Sequence, residues 1–92
     1  MSDCAEFPVR SSSTASRRVQ EETVVVIPKE GLARVLNPVA SRVWELCDGR
    51  NSSERIIELI AGEFDCGKDQ AAADVKDFLQ ELRQKRMVEF KK

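Results

Sequence analysis

The side chains able to do covalent or proton-transfer chemistry are few and scattered. The three cysteines, Cys4, Cys47 and Cys66, are odd in number and widely spaced, which argues against a disulfide framework. With no histidine and no Cys-x-x-Cys pair, a zinc site has no ligand set. Cys47 falls on an apolar helical face and reads as core, where free cysteine commonly resides. Histidine and tyrosine are absent, so the commonest general base near neutral pH is missing. The glycines Gly31, Gly49, Gly62 and Gly67 stand singly, so no phosphate-cradling loop is present. Carboxylates are plentiful, but most fall at helix starts or opposite apolar stripes. Asp48 differs in sitting at a turn, where aspartate usually bonds local backbone. These residues predict a protein without catalytic machinery, cofactor or metal.

The totals agree. Ninety-two residues make one small domain, and such a domain buries only about 60% of its unfolded surface. Little room remains for a deep substrate cavity. The 15 basic and 16 acidic residues give a net charge of −1, so no global field favours nucleic acid or an anionic membrane. The longest apolar run, Val24 to Ile27, is far too short to span a bilayer. A reducing cytoplasm fits these features best.

Residues 1–16 read as a flexible N-terminal tail, because Ser11 to Ser16 has almost nothing to bury. Phe7-Pro8-Val9 within it reads as an incidental anchor. Residues 17–92 form the domain. Arg17 to Gln20 is a weak strand, Thr23 to Ile27 a strongly β-branched one, and Leu32 to Leu36 a third that alternates. Pro28 and Gly31 mark the turn between the last two. Short connections predict antiparallel neighbours, which puts Leu32–Leu36 at a sheet edge. Both Leu32/Leu36 and Ala33/Val35 are apolar, so the core-facing side of that strand is open.

Asn37 is a good N-cap and Pro38 suits the first helical position. A helix is predicted from Pro38 to Cys47, with Ala40, Val43, Trp44 and Cys47 on its buried stripe and Gly49 just past its end. A second starts at Ser52 or Ser53, buries Ile56, Leu59, Ile60 and Phe64, and stops at Asp65-Cys66-Gly67. The third runs from about Lys68 to Arg86, with Ala71, Val75, Phe78, Leu79 and Leu82 inward. Met87 to Phe90 is a short closing strand. The fold class is α+β: a three-stranded antiparallel sheet followed by three helices, like a winged helix-turn-helix.

Leu36-Asn37-Pro38, Trp44-Glu45-Leu46-Cys47-Asp48-Gly49, Ile56-Ile57-Glu58-Leu59-Ile60, Asp74-Val75 and Phe78-Leu79-x-x-Leu82 resemble, in order and spacing, the pyrroloquinoline quinone biosynthesis protein D (PqqD) family. The resemblance covers about Arg17 to Phe90. It implies a recognition element for ribosomally made, post-translationally modified peptides. Such a module captures the leader of a precursor peptide and presents the core to a modifying enzyme, often a radical S-adenosylmethionine enzyme. The leader adds as an extra strand beside the third strand, in a groove closed by the third helix. Two departures stand out: Ser52-Ser53 replaces the usual Thr and apolar residue, and Arg86 stands where a glycine often ends the third helix.

The residues themselves support the same site. The strand Leu32, Ala33, Arg34, Val35, Leu36 carries one charge and no proline, so its edge is open to β-augmentation. On the third helix a second face, Ala72, Lys76, Leu79 and Arg83, recurs at helical spacing. Together with Val75, this face is expected to border the groove, with Lys76 and Arg83 meeting acidic leader residues. Two other readings compete. A DNA-binding winged helix is opposed by Asp69, Asp74 and Asp77 on the would-be reading helix, because phosphate contacts dominate affinity. A structural or homodimerising module would use the same free edge.

Overall fold

A computed structural model describes residues 7–91. Five strands and three helices follow in the order β1 (Phe7–Arg10), β2 (Ala15–Val19), β3 (Glu22–Ile27), β4 (Leu32–Leu36), α1 (Pro38–Leu46), α2 (Ser53–Glu63), α3 (Lys68–Gln84) and β5 (Val88–Lys91). Strands β2, β3 and β4 form an antiparallel meander in that order, and β1 pairs with β5 in a separate ladder.

The expected tail is therefore corrected between residues 7 and 16. Phe7–Arg10 is a strand, Pro8 is fully buried, and Ala15 and Ser16 belong to β2. The reason is non-local. The Arg10 N–H donates to the Cys47 carbonyl at 3.0 Å, and the Gly49 N–H donates to the Pro8 carbonyl at 3.0 Å. The Arg10 Nη1 donates to the carbonyls of Trp44 and Glu45, both at 3.0 Å. These are last-turn carbonyls of α1, which have no partner four residues on. A left-handed φ of 79° at Gly49 lets the chain pass close to Val9. Residues 1–6, with Cys4, lie outside the described residues.

The helix boundaries follow the capping chemistry. The Asn37 side chain accepts from the Ala40 N–H at 2.8 Å ahead of Pro38. Ser52 does the same for Arg55 at 3.1 Å. Asp48 accepts from the Arg50 N–H at 2.9 Å, and that bond holds its carboxyl below the usual range. At the end of α3 the Met87 N–H reaches the Leu82 carbonyl at 2.8 Å, and the Arg86 N–H reaches Arg83 at 3.0 Å. This is a Schellman closure, with Arg86 itself left-handed at φ 60°.

The core lies between the inner face of the meander and the helices. Val25, Ile27 and Leu36 pack with Val43, Trp44, Ile56, Ile60, Val75 and Leu82. Leu36 is buried while Val35 is 63% exposed, so Leu32, Arg34 and Leu36 form the inward side of β4. Ile57 is buried on α2, whereas Phe64, expected on that stripe, is 38% exposed. Cys47 is enclosed, its Sγ donating to the Val43 carbonyl, and burial pushes its thiol up to about 12. It is a packing residue.

Candidate functional site

Strand β4 has one hydrogen-bonded neighbour, β3, and among the described residues nothing pairs with its other edge. Which of its groups face that edge follows from the register. Val19 and Glu22 flank a two-residue turn, with the positive φ at Gln20 that primed hairpin turns use. The pair closing such a turn is hydrogen-bonded, and bonded and non-bonded pairs alternate along antiparallel ladders. Glu22, Val24 and Val26 thus direct their backbone groups to β2, and Thr23, Val25 and Ile27 direct theirs to β4. The partners of the latter are Leu36, Arg34 and Leu32. The N–H and C=O groups of Ala33 and Val35 are left pointing at the open edge.

Beneath that edge runs a groove between β4 and α3. Arg34 crosses it. Its Nη2 donates to Glu81 Oε1 at 3.0 Å, Nη1 contacts the other carboxylate oxygen, and the guanidinium lies 5.8 Å from the centroid of Phe78. The crossing separates two hollows. One, of about 180 Å³, is lined by Val25, Ile27, Leu32, Ala33, Arg34, Lys85 and Met87. The other, of about 320 Å³, is lined by Arg34, Asn37, Val39, Ala40, Val43, Asp74, Val75 and Phe78. Lys85 Nζ stands 3.4 Å from Glu81 Oε2, so the first hollow has a cationic rim and the second an acidic one at Asp74.

Of the five β4 residues expected at the site, Leu32, Ala33 and Arg34 line the groove and Val35 lies on the open edge, whereas Leu36 is buried in the core and lines neither hollow. Of the α3 residues, Val75 lines the second hollow. The other α3 residues do not. Lys76, Leu79 and Arg83 line a separate hollow with Ser53, Gln80 and Phe90, and Arg83 stacks on Phe90 at 5.4 Å. Ala72, on their side of the helix, packs half-buried against the core. The groove face of α3 is instead Asp74, Phe78, Glu81 and Lys85, spaced i, i+4, i+7 and i+11. Both sets flank the buried stripe at helical spacing. Periodicity cannot say which flank faces β4, because the path of the chain decides that. A usable signal was the charge pairing of Arg34, the single charge of β4, with Glu81. The contribution of α1 through Asn37, Val39, Ala40 and Val43 had no such signal.

Residues 22–88 match the profile described as Coenzyme PQQ synthesis protein D (PqqD). The chain belongs to the PqqD family. The span that carries PqqD character contains β3, β4, all three helices and the start of β5, hence the whole groove, while β1 and β2 precede it. A relative, the PqqA binding protein of Rhizobium meliloti (strain 1021), is 32% identical over 71 residues, covering 77% of this chain and 70% of that protein. A solved structure, TbiB1 in complex with the TbiA(beta) leader peptide, is similar at a TM-score of 0.81 and 27% identity, over 88% of this chain and 94% of that one. The PqqD fold is thus the observed α+β arrangement of a three-stranded antiparallel meander followed by three helices. Among the described residues, no helix is long and apolar enough to cross a membrane, and no group of three or more His, Cys, Asp or Glu could hold a metal ion.

Proposed function

We propose that this PqqD-family chain is a non-catalytic peptide chaperone of the cytoplasm. It binds the leader segment of a ribosomally made precursor peptide and presents the remainder to a modifying enzyme, of the radical S-adenosylmethionine type or another, as in pyrroloquinoline quinone or related biosynthesis. The observation that carries this reading is the open β4 edge, with the Ala33 and Val35 backbone groups directed outward above an apolar groove. An extended peptide laid there gains main-chain hydrogen bonds from the edge and side-chain anchorage from the hollows. Two relatives support it by what they bind: one is a PqqA binding protein, and the other was solved with a leader peptide. The acidic Asp74 and Glu81 on the exposed flank of α3 disfavour duplex DNA as the ligand.

Five residues of strand pairing plus two apolar anchors correspond to micromolar affinity, about −8 kcal/mol. Calorimetric titration of the whole chain with PqqA-type and TbiA-type leader peptides tests the proposal. Saturable binding near that affinity by at least one leader is expected. Binding to random duplex DNA at low salt, with no heat from any leader, would overturn it. Sedimentation with and without the peptide separates leader binding from pairing of two copies through the same edge.

A further inference from the structure

Arg34 is the one charged residue of β4, and it stands where the two hollows of the groove meet. We propose that Arg34 sets the specificity of this groove. The segment that adds to β4 carries a carboxylate that replaces Glu81 on the guanidinium, flanked on the same face by one apolar side chain for each hollow. The inference rests on the strand-addition reading above and adds the ligand's side-chain pattern to it.

Three observations carry it. In an added strand, alternate side chains face inward and lie beside the inward residues of β4. Those residues are Leu32, Arg34 and Leu36, so the inward positions of the ligand read apolar-x-acidic-x-apolar over the five-residue length of β4. The middle position meets the guanidinium. The outer two lie over the hollow floored by Val25, Ile27 and Met87 and over the one walled by Val43, Val75 and Phe78. Finally, Glu81 can release Arg34 without becoming an unpaired charge, because Lys85 already stands 3.4 Å from it. The Arg34–Glu81 pair is also partly exposed, at 33% and 38%, which keeps the exchange inexpensive. Phe78 stays beneath the guanidinium and holds it at the groove in either state.

Panning a library of random linear peptides on the immobilised whole chain tests this. The enriched peptides are expected to share Asp or Glu midway between two large apolar residues. Replacing that acid by its amide should weaken binding about tenfold on the native chain, a 1.4 kcal/mol difference, and under about twofold on Arg34→Gln. The exchanged pair Arg34→Glu with Glu81→Arg should select Lys or Arg at the middle position. Arg34→Gln carries the test if the exchanged chain fails to fold. Peptides with two apolar anchors and an indifferent middle residue would overturn the inference while leaving strand addition standing. A library that enriches nothing would overturn strand addition, and this inference with it.

Discussion

Pro8 lies opposite Phe90 in an antiparallel ladder that joins the two ends of the described chain. The same strand closes the last turn of α1 through Arg10 and Pro8, and Ser11 continues the contact by donating to the Met87 carbonyl at 2.9 Å. The N-terminal segment is thus a clasp between the end of α1 and β5.

Removing residues 1–10 should lower stability by about 2 kcal/mol or more, since several buried backbone partners are lost together. Urea unfolding measures this. A truncated chain with an unchanged midpoint would show that β1 contributes no stability.

Val35 provides the cleanest disruption of the edge. Its side chain is 63% exposed, and its N–H points away from β3 by the register derived above. Val35→Pro removes one outward donor without opening a core cavity or a β3–β4 hydrogen bond. Leader affinity should fall at least about tenfold, the effect of losing one well-made hydrogen bond and its strand geometry. Val35→Thr should bind as the native chain does. Equal calorimetric affinity for a folded Val35→Pro would remove the edge from the account.

Arg86 occupies a position suited to glycine. Its φ of 60° is left-handed, a region that L side chains enter at a cost of roughly 1–2 kcal/mol. The Schellman closure and the buried Met87 that follows it hold the residue there. Arg86→Gly should raise stability by about 0.5–1 kcal/mol, the relief being partly offset by glycine's greater freedom in the unfolded chain. Thermal unfolding with no gain, or with a loss, would contradict this reading of the helix end.

Arg42 and Glu63 join α1 to α2 through two hydrogen bonds, at 2.8 and 3.0 Å. The guanidinium holds the Glu63 carboxyl below its ordinary value of 4.5. The folded state therefore binds this proton less readily than the unfolded state does. The stabilisation is present above the ordinary glutamate range and is lost as pH falls through the lower folded value. Both side chains are 37% exposed, so the effect stays below about 1 kcal/mol. Glu63→Gln should cost stability at neutral pH and progressively less as pH falls below the ordinary glutamate range; a deficit that does not change with pH would contradict the assignment.

The local features of the fold were legible in the sequence. Asn37-Pro38, Ser52 and the Asp48-Gly49 turn set helix ends through contacts within a few residues. The alternation and lone charge of Leu32–Leu36 marked an edge strand whose bounds the structure reproduces. The misses share a physical cause. Phe7–Arg10 pairs with Val88–Lys91, some eighty positions away, and a proline beside a serine run gives no local hint of that ladder. The groove-facing flank of α3 was likewise set by how the chain returns past the meander. Lys76 and Arg83 satisfied the helical period as well as Asp74 and Glu81 did, yet line another hollow.

Hydrogen exchange at single amides of β4, with and without a leader peptide that binds, reads out strand addition residue by residue. The Leu32, Arg34 and Leu36 amides face β3 and should be protected in both states. The Ala33 and Val35 amides should exchange freely in the unliganded chain and slow markedly on binding. Saturable binding that leaves those two amides as fast as before would place the peptide elsewhere and contradict the account.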